Sequence, residues 1–108
     1  YAADLAKALL DIIVVLNDTS ADTFGGIYHY ANEGIISWYD FAKAICAEIN
    51  SDCIIHPIPS TAYPTPARRP AYSAFDTHKI RQVFGVATPH WQDALQDCIF
   101  RIRQWLAK

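Results

Sequence analysis

The sequence predicts an α/β chain in the order α-β-α-β-loop-α-α, with two short parallel strands. Three observations predict it. Apolar residues recur at three- and four-residue steps in separate stretches of the chain. Two short runs rich in aromatic and β-branched residues, 26–31 and 53–58, flank the second of these helical stretches. A proline-rich run, 57–70, then separates the second strand from the last two helices. Two short strands make a poor sheet by themselves, so the same reading expects the chain to pack on a larger partner.

The first helix is expected over Ala2 to Leu16, on the spacing of Leu5, Leu9, Ile12, Ile13 and Leu16, with Asp4 and Lys7 near its start. Asn17 to Gly26 is polar, ends in Gly25-Gly26 and reads as a loop. Ile27-Tyr28-His29-Tyr30 has strand composition, and Asn32-Glu33-Gly34 is a turn. Ser37 suits the N-cap of a second helix. Asp40, three residues on, is a short-armed variant of the capping box. Trp38, Phe41, Ala42, Ile45, Cys46 and Ile49 form one apolar stripe, which predicts a core-facing helix. Cys53 to Ile58 is the second strand, and strand, helix, strand in this order argues for a parallel pair with a right-handed crossover.

Five of the six prolines lie between Pro57 and Pro70. Each holds its own φ and biases the preceding residue toward extended backbone, so this stretch is a stiff loop and not a helix. Asp76 is expected to cap a short helix, Thr77 to Phe84, stopped by Gly85. Thr88, with Pro89 behind it, is expected to open the last helix. That helix would bury Trp91, Ala94, Leu95, Cys98, Ile99, Ile102, Trp105 and Leu106. Arg101, Arg103 and Lys108 would complement its C-terminal dipole.

Composition narrows the function. The chain has 108 residues, enough for one small domain or part of a larger one. A net charge of -2 without a basic stripe argues against binding along a nucleic-acid backbone. No run of about 20 apolar residues is present to span a membrane. Cys46, Cys53 and Cys98 include no C-x-x-C pair, and a reduced cytoplasmic setting is the simplest reading. There is no Met, and the chain opens on Tyr1, so a piece of a longer protein is expected.

The proline-rich loop holds the most pointed chemistry, Arg68-Arg69-Pro70. A phosphate or diphosphate is bound well by the planar fork of arginine. Rigid prolines on both sides lower the entropy cost of holding that fork in place. The same arginines could equally pair with nearby surface acids. Tyr63 and Tyr72 could flank such a site or simply pack. His29, His56, His78 and His90 lack metal-ligand spacing. Trp38, Trp91 and Trp105 read as core residues.

Tyr63-Pro64-Thr65-Pro66-Ala67-Arg68-Arg69-Pro70-Ala71-Tyr72-Ser73, followed by Asp76-x-x-Lys79, resembles the segment that closes the substrate site of dTDP-4-dehydrorhamnose reductases. These are extended short-chain dehydrogenase/reductases. Ser37-Trp38-Tyr39-Asp40-Phe41-Ala42 after a G-I-Y-H-Y-A-N run, Tyr1-Ala2-Ala3-Asp4-Leu5-Ala6 at the front, and Trp91-x-x-Ala94-Leu95 near the end are similar to that family too. The resemblance covers nearly the whole chain.

It implies that residues 1–108 are the C-terminal substrate-binding part of such a reductase, with the N-terminal NAD(P)-binding Rossmann domain absent. The implied reaction is reduction of dTDP-4-dehydro-L-rhamnose to dTDP-L-rhamnose, for cell-surface polysaccharide, with NADPH or NADH bound by the missing domain. Arg69 and Arg68 are the implied nucleotide-diphosphate contacts, with Arg69 the better placed, and Tyr63 and Tyr72 stand beside them. The implied partners are a dTDP-sugar and the chain's own Rossmann domain. Some members of the family use a divalent cation such as Mg2+ at a dimer contact, so a homodimer and Mg2+ belong to the expectation.

The chain departs from the family where catalysis lies. It has no G-x-x-G-x-x-G turn. Tyr39 and Lys43 match Tyr-x-x-x-Lys by letter, but they sit in the capped second helix and read as coincidence. The fragment alone is therefore expected to be inactive, with no catalytic residue of its own. The competing reading is a non-catalytic sugar-nucleotide-binding or regulatory module of the same superfamily.

Overall fold

The computed structural model describes residues 1–18, 24–67 and 69–108. The chain forms two compact units, residues 1–34 together with 75–108, and residues 35–74. Its helices are α1 (Ala2–Asp18), α2 (Trp38–Glu48), α3 (His78–Phe84) and α4 (Trp91–Leu106), with a 3-10 turn at Ser60–Ala62.

In the first unit the core gathers Ala8 of α1, Ile80 and Phe84 of α3, and Val86. Ile12, Val15, Leu16, Phe24, Tyr28 and Tyr30 pack around them. The Phe84 ring is the centre, 5.4 Å from the Phe24 ring and 5.0 Å from the Tyr28 ring. Burying a side chain of this size stabilises by about 1.5–3 kcal/mol. α1 uses a face centred on Ala8, where a small side chain lets the backbones approach. Leu5, Leu9 and Ile13, assigned to the buried stripe by spacing, are instead exposed together with Leu10 and Val14. Apolar residues cover more than one face of α1, and periodicity alone does not choose between those faces.

α3 stops where the sequence places the stop, at Gly85, whose φ of 65° is left-handed. Its start differs slightly. Thr77 holds the N-cap position without a side-chain bond, and Asp76 Oδ1 accepts from the His78 N–H at 2.8 Å.

α4 begins at Trp91 with His90 as N-cap, two residues later than the Thr88-Pro89 signal predicts. The cause is a parallel bridge between Glu33 and His90. The Glu33 N–H donates to the Pro89 carbonyl and the Trp91 N–H donates to the Glu33 carbonyl, both at 2.9 Å. Thr88 is buried, and its hydroxyl donates to Glu33 Oε1 at 3.0 Å. Ala94, Leu95 and Ile99 form the buried face of α4. Ile102, Trp105 and Leu106, also assigned to it, are exposed.

Among the described residues the predicted parallel strands do not form: the Glu33–His90 bridge is the extent of β pairing, and 26–31 and 53–58 carry no ladder. A strand needs a neighbour to receive its backbone bonds, and neither run has one among the described residues. Ile54 and Ile58 stand exposed.

The second unit is built on α2, and its N-terminus is the capping box the sequence announces. Ser37 Oγ accepts from the Asp40 N–H at 3.1 Å, and Asp40 Oδ2 accepts from the Ser37 N–H at 2.9 Å. The C-terminus closes with a paired-bond cap: Ser51 N–H donates to the Cys46 carbonyl and Asn50 N–H to the Ala47 carbonyl. Asn50 sits at φ 53°, a left-handed position that Asn tolerates. The stripe on α2 is not core: Phe41, Ala42, Ile45 and Cys46 are half-buried, and Trp38 is 77% exposed.

With no buried residue, α2 depends on its caps. Ser37→Ala is expected to cost about 1 kcal/mol of helix stability, read as lost far-UV helical signal on heating. The Ser37 hydroxyl, followed by its N–H, holds the Asp40 carboxyl below its ordinary range. A folded value below the unfolded one gives stability that is present above the unfolded value, about 3.9. That stability is lost as pH falls through the depressed folded value. Ser37→Ala should flatten that acid dependence.

Candidate functional site

The proline-rich loop lies in the second unit, and its backbone is kept short of helix by its own residues. Pro59 opens the 3-10 turn, where Ala62 N–H donates to the Pro59 carbonyl at 2.9 Å. Thr65 Oγ1 donates to the Ala67 carbonyl at 2.7 Å, a local turn of the kind threonine makes beside proline.

Arg69 is exposed, and among the described residues no acid pairs with it and no side chain bonds to it. The alternative that Arg69 is a surface ion-pair partner therefore has no support from the described acids. Tyr63 and Tyr72 are exposed as well, at 69% and 68%, and neither makes a ring contact or hydrogen bond among the described residues. Among the described residues, Arg69, Tyr63 and Tyr72 thus make no contact with one another. Arg68 lies outside the described residues.

An unpaired guanidinium on a pre-stiffened backbone can take a planar anion bidentately. Exposed tyrosines offer a flat apolar face and a hydroxyl. The loop contains no residue suited to moving a proton near neutral pH.

Tyr39 and Lys43 face each other along one turn of α2, with the amine 5.7 Å from the ring centre, a local cation–π contact. No group of three or more His, Cys, Asp or Glu side chains is arranged to hold a metal among the described residues. The three cysteines are free thiols. No helix among the described residues is long and apolar enough to cross a membrane.

Sequence reading passed over the polar clasp of the first unit. Glu33 accepts from Arg81 and from Thr88, and Asn32 Nδ2 donates to Asp4 Oδ2 at 2.6 Å and to the Pro89 carbonyl at 3.2 Å. The only signal was the Asn32-Glu33-Gly34 turn itself, because the partners are more than 25 residues away.

A family model described as the RmlD substrate binding domain matches residues 1–104. The dTDP-4-dehydrorhamnose reductase of Aggregatibacter actinomycetemcomitans is 39% identical over 105 residues, covering 90% of this chain and 35% of that protein. The dTDP-4-dehydrorhamnose reductase of Sinorhizobium fredii is 32% identical over 105 residues, covering 94% of this chain and 36% of that protein. The spore coat polysaccharide biosynthesis protein SpsK of Bacillus subtilis is 34% identical over 97 residues, covering 90% of this chain and 31% of that protein. The chain spans about a third of the length of these curated relatives.

Proposed function

This chain belongs to the RmlD substrate binding domain family, and from that premise we propose that it is the sugar-nucleotide-facing part of a dTDP-4-dehydrorhamnose reductase. The reaction is reduction of the 4-keto group of dTDP-4-dehydro-L-rhamnose, giving dTDP-L-rhamnose for cell-surface polysaccharide. The family's domain is of α/β type. In our reading, runs 26–31 and 53–58 take up strand pairing beside an N-terminal Rossmann domain. That would supply the neighbour each run lacks here.

The observation that carries the reading is Arg69, exposed and without a partner among the described residues, on a proline-stiffened loop within a family-matching chain. In the assembled site it would hold the diphosphate while Tyr63 and Tyr72 border the nucleotide, and Arg68 would add a second cation. These residues bind and orient. None of them is assigned a proton transfer.

The nicotinamide cofactor does not fit this chain. There is no Gly-rich dinucleotide turn, and among the described residues no strand leads into a helix N-terminus as a pyrophosphate site requires. In this reading, cofactor binding and the catalytic Tyr-x-x-x-Lys belong to the Rossmann domain. The described residues give no support to a Mg2+ site. A cytoplasmic setting and a homodimer fit the proposed enzyme.

The test is turnover. The longer protein carrying this chain, mixed with dTDP-4-dehydro-L-rhamnose and NADPH or NADH, is expected to consume the cofactor's near-ultraviolet absorbance, while residues 1–108 alone do not. Turnover by residues 1–108 alone would overturn the reading. Binding of dTDP-sugars by the longer protein without turnover would point to a non-catalytic module instead.

A further inference from the structure

We propose that the proline-rich loop and its flanks, residues 54–67 and 69–74, are ordered by the nucleotide diphosphate they bind, so that binding and the ordering of this segment are one event. The proposal rests on the nucleotide reading of Arg69 given above.

The two units differ in what holds them. Among the described residues every buried side chain belongs to the first unit, and none of those in 35–74 is buried. Within the second unit α2 has two caps and a half-buried stripe. The segment that follows has less. Ile54, Ile58, Tyr63 and Tyr72 all stand exposed. Among the described residues its backbone bonds are those of the 3-10 turn, Ala62 N–H to the Pro59 carbonyl and Tyr63 N–H to the Ser60 carbonyl. Thr65 Oγ1 adds its local bond to the Ala67 carbonyl. A segment with no buried side chain and so few backbone bonds opens at little cost in free energy.

The prolines act on the other side of the balance. Pro57, Pro59, Pro64, Pro66 and Pro70 restrict φ in the unbound chain as much as in the bound one, so less entropy is lost when the segment is fixed. They stiffen the backbone without tying it to a core. The segment is therefore weakly held and loses little entropy on being ordered. Tyr63, Arg69 and Tyr72 all lie in it, without contact to one another among the described residues. A diphosphate with its base gives the guanidinium and the two rings a common object to close on. A ligand that binds only the ordered form stabilises that form.

The experiment is hydrogen exchange on the full-length protein, free and with thymidine diphosphate (dTDP), beside calorimetric titration of dTDP. In the free protein the amides of the segment should exchange close to the rate of an unstructured chain, while those of α3 and α4 are protected. With dTDP at about 100 times its Kd, the segment should slow by about ten-fold or more, toward the linkage limit of roughly 100-fold. Arg69→Ala should lose that slowing and raise the Kd. Pro66→Ala should raise the Kd about two- to five-fold, because a freer unbound chain has more entropy to lose.

A segment already as protected as α3 in the free protein would overturn the proposal. So would exchange that dTDP leaves unchanged, or a Kd that Pro66→Ala leaves unchanged. In each of these cases a Kd raised by Arg69→Ala keeps the nucleotide reading without the ordering. An Arg69→Ala protein that binds dTDP as the wild type does would remove the nucleotide reading and the ordering with it.

Discussion

Gly34→Ala is expected to destabilise the first unit by about 3 kcal/mol or more, through backbone strain and overpacking together. Gly34 sits at φ 107°, a conformation that residues with a Cβ rarely adopt. The space is also taken. A Cβ built there collides with Trp91 Cδ1 and lies 2.9 Å from Nε1 of the same ring and 3.0 Å from His90 Nε2. Relief would need the indole to turn away or the backbone at 33–34 to shift, and a backbone shift strains the bridge in which the Trp91 backbone N–H donates to the Glu33 carbonyl. Urea unfolding followed by tryptophan fluorescence checks this. Gly85→Ala is the control. Gly85 also has a left-handed φ, at 65°, but nothing stands within 4 Å of an added Cβ, so it should cost about 1 kcal/mol, the strain alone. Equal losses at the two positions would show that steric overlap with Trp91 plays no part.

On the function proposed above, Arg69→Ala in the full-length protein is expected to raise the KM for dTDP-4-dehydro-L-rhamnose about 10- to 100-fold, the worth of a charge-assisted hydrogen bond to a diphosphate. The kcat should change little, because a group that holds the nucleotide equally in ground and transition states affects binding alone. Arg69→Lys keeps the charge but loses the fork, and should fall between the two. The rise should shrink at high salt, since an exposed arginine acts through a screened field. An unchanged KM would identify Arg69 as an ordinary surface residue of a helical scaffold, and the site would have to be sought elsewhere in the family-matching region.

Both substitutions probe positions that the sequence marks, but it marks them unequally. Arg69 stands out because proline and arginine each have a local physical meaning: one removes helix, the other offers a fork. Gly34 is visible only as the end of a turn. Its partner Trp91 is 57 residues away, and no local pattern connects them. The same division runs through the helices. The α2 cap, Ser37 with Asp40, is a four-residue device and appears as read. The α4 cap is displaced because Glu33, from far along the chain, claims the backbone around Pro89 first.

By itself the sequence determined where the four helices lie to within about two residues, which loop is barred from helix, and which family the motifs resemble. All three rest on short-range chemistry: apolar spacing, proline and glycine geometry, and side chains reaching a backbone three residues away. Only the tertiary structure decided which face of α1 is buried, that Trp38 and Trp105 stand exposed, and that the two strand-like runs go unpaired. It also decided that Arg69 has no partner among the described residues. These depend on what lies opposite each residue, and a chain's own pattern states a preference for burial or pairing without supplying the partner that satisfies it.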